Sequence, residues 1–177
     1  MKRYQRIMMA FFVSSILCFV VDGNIRVAQA ELLPDLTITS VNVPASASIN
    51  EKITASWAVT NQGDGEVPSS IPYWSDQLFI STDAQLDSSD VLVMNIQHVN
   101  PTSLAAGASY TASGDFYMPS NLTSGSYYLL AKTDAGDNVR TESNETNNVF
   151  AAQPIAIHVP DLTITSVNVP ASASINE

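Results

Sequence analysis

The chain has 177 residues, in which 17 Asp and Glu face 7 Lys and Arg, for a formal net charge of −10 at pH 7. A surface of that sign repels nucleic acid and anionic membrane and draws cations toward it. A single Cys and 2 His exclude a disulfide framework and leave zinc without its usual ligands.

Residues 1–30 have the layout of an export signal. Lys2, Arg3 and Arg6 precede an apolar run over residues 7–21, and Ala28-Gln29-Ala30 supplies a small-x-small cleavage site. A membrane helix needs about 20 apolar residues; this run has 15, so cleavage is expected rather than anchoring. Cys18 follows Leu17, where lipid attachment calls for a small residue, and it leaves with the signal. The mature chain then carries a charge of −13, with Lys52, Lys132 and Arg140 as its cations. No later stretch is long and apolar enough to span a bilayer.

Residues 34–51 read PDLTITSVNVPASASINE, and the same 18 letters return at 160–177, an offset of 126. That offset is the size of an independent domain, well above a solenoid unit of roughly 20–50 residues. The expected organisation is a domain over residues 31–159, followed at 160–177 by the start of a second identical unit. Both copies of the opening strand have one set of pairing partners here. The trailing copy is expected to hang free or to exchange into a neighbour.

Between the two copies the pattern is β throughout, with runs of Val, Ile, Thr, Tyr and Trp separated by Gly, Pro, Asn, Asp and Ser. Strands are predicted at 36–43, 52–60, 73–81, 91–99, 110–118, 126–133 and 148–159. No window carries a sustained helical stripe. The fold class is all-β, an immunoglobulin-like antiparallel β-sandwich of about seven strands. Alternation places Ile53, Ala55, Trp57 and Val59 on one inner face, with Tyr110, Ala112, Phe116 and Met118 on another and Ile155, Ile157 and Val159 on a third. Leu36 and Ile38 are out of phase with Val41 and Val43, so a bulge or sheet switch is predicted near Thr39-Ser40. Gly125-Ser126-Tyr127 sits where sandwich folds place a tyrosine corner; a plain aromatic strand is the alternative, and Tyr127 is structural in either.

Five stretches in order carry a resemblance. They are Pro34-Asp35-Leu36-Thr37-Ile38; the strand from Ile53 to Gly63; Trp74-Ser75-Asp76-Gln77-Leu78 running on to Asp83; Leu104-Ala105-Ala106-Gly107; and Gly125-Ser126-Tyr127-Tyr128-Leu129-Leu130 with Glu142-Ser143-Asn144-Glu145-Thr146-Asn147-Asn148. Together they resemble the CARDB family, the cell-adhesion-related domain found in bacteria. The resemblance implies an immunoglobulin-like sandwich, often in tandem within large secreted or surface proteins, beside adhesive or degradative domains.

Acids gather in two loops. Asp83, Asp87 and Asp90 follow the third predicted strand, and Asp134, Asp137, Glu142 and Glu145 precede the last. Asp76 shares the inward parity of Trp74, Leu78 and Ile80, so its carboxylate needs donors or a cation to offset burial. Calcium takes 6–8 oxygen ligands of this kind, which makes Asp76, Asp83, Asp87, Asp90, Asp134, Asp137, Glu142 and Glu145 the candidate metal ligands. The competing reading has the acids capping turns through Asx-type bonds and keeping the protein soluble. Catalysis has little support: His98 and His158 sit apart on strands, and the mature chain has no thiol.

The expected function is a non-catalytic, secreted adhesion or spacer module with neighbouring identical repeats as partners, and with calcium as a candidate stabiliser. Its further ligand is an unidentified protein or carbohydrate. The alternative is an accessory substrate-binding domain of a secreted hydrolase, which an exposed row of aromatics would favour. Tyr73, Phe79, Tyr117 and Tyr128 are the candidates for such a row.

Overall fold

The computed structural model describes residues 10–13, 16–21, 24–29, 31–172 and 175. Lys2, Arg3, Arg6 and Ala30, of the segment read as an export signal, lie outside them, as do Asn176 and Glu177 of the trailing copy. Within the first thirty residues β1 (Ala10–Val13), β2 (Ile16–Val21) and β3 (Asn24–Gln29) pair antiparallel in that order as a sheet of their own.

The rest is an all-β sandwich. One sheet has the order β4-β6-β9, from β4 (Leu36–Asn42), β6 (Lys52–Asn61) and β9 (Ser109–Tyr117). The other has the order β5-β11-β10-β7-β8, from β5 (Ser46–Ser48), β7 (Tyr73–Ser81), β8 (Val91–Val99), β10 (Gly125–Lys132) and β11 (Val149–His158). Pairing is antiparallel except for β5, which lies parallel to β11. All seven predicted strands are present within two residues of their predicted ends. β5 was not foreseen: three residues reading Ser-Ala-Ser carry no alternating pattern, and a parallel edge partner more than a hundred residues away leaves no local trace.

The alternation in sequence becomes the core directly. Ile53, Ala55, Trp57 and Val59 of β6 are buried against Trp74, Leu78 and Ile80 of β7 and Leu129 and Ala131 of β10 in one cluster. The β4–β6 register shifts between Ile38 and Ser40, with Thr39 exposed. This predicted bulge turns Leu36 and Ile38 fully inward and lets Val41 and Val43 pack at the core margin. The tyrosine corner is also realised, since the Tyr127 hydroxyl accepts the Thr123 N–H at 3.3 Å while the ring is buried. One inward assignment fails at the end of β11. The strand stops at His158, and Val159, one residue past it, is exposed.

Leu162 and Ile164 of the trailing copy are 95% and 85% exposed, whereas Leu36 and Ile38, their counterparts in the first copy, are 0% and 3% exposed. The same letters are core in one copy and surface in the other.

Candidate functional site

The connection from β10 to β11 holds four of the candidate acids, and the backbone bends sharply to present them. Asp134 and Asp137 adopt φ of 43° and 52°, a left-handed conformation that Asp tolerates better than most side chains. The Asp134 carboxylate accepts the Asn138 and Val139 N–H groups at 2.9 and 3.0 Å, which holds the first turn. Glu145 accepts the Glu142 N–H at 2.9 Å and fixes the second.

Glu142 reaches across to the start of the domain. One carboxylate oxygen accepts the Leu36 N–H at 2.6 Å and the other accepts the Asn148 side-chain amide at 2.7 Å. Asn147 donates to Asp35 at 2.9 Å, and the Ser143 N–H donates to the Pro34 carbonyl at 2.8 Å. From the other side Asn61, fully buried, accepts the Asp35 N–H at 2.9 Å and donates to the Gly65 carbonyl at 2.8 Å. The stretches Pro34-Asp35-Leu36 and Glu142 to Asn148 are therefore two halves of one clasp at the β4 end of the sandwich. The anchoring roles of Asn61 and Asn148 were missed in the sequence. Asn61 closes β6 and Asn148 immediately precedes β11, and an Asn at a strand boundary was the available signal.

The electrostatics of the clasp are unfavourable to its own acids. Burial pushes Glu142 up to about 7, against the lowering effect of the Asn148 and Leu36 hydrogen bonds, and Glu145 and Asp134 add like-charge repulsion. Asp134 is also raised, first by burial, with Asp137 and Glu145 repelling it further. Beside them lies a cavity of about 400 Å³ lined by Lys132, Asp134, Asp137, Arg140, Glu145 and Asn148. The Asn148 amide oxygen is buried with no hydrogen-bond partner. Among the described residues Lys132 and Arg140 make no ion pair with these carboxylates; Lys52 and Asp115, on the outer face, do pair at 2.8 Å.

The other acids behave differently. In the loop between β7 and β8, Asp83 accepts the Gln85 N–H at 2.8 Å, Asp87 accepts the Ser89 N–H and hydroxyl at 2.7 Å, and Asp90 accepts the Asp87 N–H at 2.8 Å. The Asp83 and Asp87 bonds are Asx-type turns, the Asp90 bond closes the same loop from its far side, and the Ser89 bonds hold Asp87 below the usual carboxylate range. Asp76 is inside, as its parity implied, at 1% exposure. Its oxygens accept Trp57 Nε1–H at 2.8 Å, the Thr133 hydroxyl at 2.8 Å and the Tyr110 hydroxyl at 2.9 Å. Tyr110 in turn accepts Trp74 Nε1–H at 2.7 Å and stacks on His98 with ring centroids 3.7 Å apart. Burial raises the Asp76 pKa despite the three donors and lowers that of His98. The structure thus brings Asp134, Asp137, Glu142 and Glu145 together, leaves Asp83, Asp87 and Asp90 in turns, and sets Asp76 in the core. Among the described residues no three His, Cys, Asp or Glu side chains converge into a ready-made metal site.

The aromatic candidates do not form a row. Tyr73 opens β7 while Phe79 lies toward its far end and is partly buried, Tyr128 on β10 is partly buried, and Tyr117 belongs to the other sheet.

The model of the CARDB family matches residues 33–152. Among solved structures, the CARDB domain of a Pyrococcus furiosus protein, in complex with di-metal ions, is 22% identical with a TM-score of 0.51, covering 71% of this chain and 90% of that one. A domain of a putative cell surface protein from Methanosarcina acetivorans is 24% identical with a TM-score of 0.50, covering 72% and 94% respectively. At these identities the two likenesses speak for the fold. No curated protein matches the chain.

Proposed function

The chain belongs to the CARDB family, and on that footing we propose that residues 31–159 are one non-catalytic unit of a tandem array, exported from the cell and serving adhesion or spacing. The observation that carries the reading is the exact return of 18 residues at an offset of 126. That offset equals one whole sandwich from the start of β4 to the start of the next unit. A unit that ends where its copy begins suits a structure built by addition, in which length or multivalency is the useful property. The interior supports the same reading. Asp76 accepts from Trp57, Tyr110 and Thr133, and Asn61 bonds the backbone of Asp35 and Gly65, so these two buried groups serve to tie the sandwich together.

Calcium has a place in this reading as a stabiliser of the β10–β11 connection. Asp134, Asp137 and Glu145, with the unpartnered Asn148 oxygen, supply the oxygen donors that calcium takes, and a cation would relieve their repulsion. The carboxylates would close in on the ion from around the cavity.

Export is the first point to test. Expression of the whole chain in a bacterial host, followed by mass spectrometry of the extracellular or periplasmic fraction, is expected to return a protein beginning at Glu31. Retention of residues 1–30 on a cell-associated product would overturn the secreted reading.

A further inference from the structure

The offset of 126 residues that relates the two copies also says what stands before each unit. Pro160 corresponds to Pro34, so Ile157, His158 and Val159 occupy, for a following unit, the positions that Glu31, Leu32 and Leu33 occupy for this one. Both sets of contacts are visible in the structure. Behind, Ile157 is core, the His158 carbonyl accepts the Ile49 N–H at 3.0 Å, and the Val159 N–H donates to the Ser124 hydroxyl at 3.0 Å. Ahead, the Leu33 carbonyl accepts the Gly65 N–H at 2.9 Å. Leu32 to Asp35 also lie so close over Gly63 and Gly65 that a Cβ at either glycine would collide with their backbone.

Residue 159 is therefore claimed twice. Its N–H belongs to the unit behind and its carbonyl to the unit ahead, so no residue is left over as a linker. From Ile157 to Leu162 the chain takes five steps, at most about 17 Å fully extended. Each of those residues is core in its own unit, judged by Ile157 at 1% exposure and by Leu36, the counterpart of Leu162, at 0%. Two cores joined by so short a tether bring the surfaces of their units into contact. The surface ahead has a cavity of about 400 Å³ around residues 31–34, bounded by Glu66, Pro68 and Val139 to Thr141. In an array the end of the preceding unit's β11 takes the place of residues 31–33 in the wall of that cavity.

We propose that successive units dock end to end, the Ile49 and Ser124 end of one seated on the Gly63 to Pro68 and Val139 to Thr141 end of the next, so that the array is a stiff rod. The proposal rests on the tandem reading above and adds the geometry of the junction. The test extends the whole chain beyond Glu177 with the sequence of residues 52–159, which completes the second unit. Ser113→Cys, on the exposed side of β9, is introduced in both units as a spin-label site; with the signal removed the chain has no other cysteine. The expected result is one narrow label-to-label distance distribution by double electron–electron resonance. Inserting Gly-Ser-Gly-Ser between Val159 and Pro160 should broaden it several-fold. Two folded units with an equally broad distribution before and after the insertion overturn the docking alone. A second unit that does not fold, seen as a single-domain unfolding enthalpy in calorimetry, overturns the array reading and the docking with it.

Discussion

Two buried carboxylates show how differently one functional group can be accommodated. Asp76 sits among Trp57, Thr133 and Tyr110, each donating to it. Removing the acceptor leaves the Trp57 indole N–H with nothing to bond, although the two hydroxyls can turn toward each other. Asp76→Ala is therefore expected to lower stability by about 2–4 kcal/mol, read from urea denaturation. A loss below about 1 kcal/mol would show that the network is dispensable. Glu142 holds a backbone N–H of β4 and the Asn148 amide, and burial raises its pKa to about 7 from the usual 4.5. The folded protein then keeps a proton that the unfolded chain has already released between those values. Its contribution is complete below the unfolded pKa and is lost as pH rises through 7. Glu142→Gln should abolish that decline, because the Asn148 amide can rotate and offer its unpartnered oxygen to the new NH₂. The expected outcome is a stability gap between variant and parent that moves in the variant's favour from pH 5 to pH 8. A gap independent of pH would mean that Glu142 titrates normally.

At the scale of elements, the connection between β10 and β11 does two jobs that oppose each other. It fastens the first strand of the domain, and to do so it crowds Asp134, Asp137, Glu142 and Glu145 into one place. A divalent cation favours the ionised form of such a cluster and binds the folded state alone, so it stabilises by mass action. Millimolar Ca²⁺ is expected to raise the melting temperature of residues 31–177 saturably and by more than Mg²⁺ does. The double variant Asp137→Asn, Glu145→Gln should lose the increment. Superimposable melts with Ca²⁺ and with chelator would assign all four acids to turn formation. The acids between β7 and β8 are not expected to contribute, because their oxygens already serve the turns that place them.

For the whole molecule, the informative comparison is between two identical sequences in two environments. Residues 36–42 pair with β6 and are clasped by Glu142, whereas residues 160–172 are exposed along their length. A segment that buries nothing contributes little to folding. Deleting residues 160–177 should leave the urea midpoint unchanged. A substantial fall on deletion would mean that the trailing copy fills a strand position, in this molecule or in a neighbour.

The sequence by itself determined seven strands of the sandwich, the bulge in β4 and the inward position of Asp76, and it offered the tyrosine corner as one of two readings. Each follows from relations between residues a few positions apart, through the alternation of side chains on a pleated backbone. Only the tertiary structure decided what those residues meet. Parity put Asp76 inside, yet nothing local announces that Thr133, 57 residues on, would donate to it. Glu142 read as a loop acid until it was seen to hold the Leu36 N–H, 106 residues away. The acids of the two loops are alike in letters and differ in their distance from the β4 end of the sandwich. That distance comes from how two sheets stack, and hence from the hydrophobic burial of the whole chain at once.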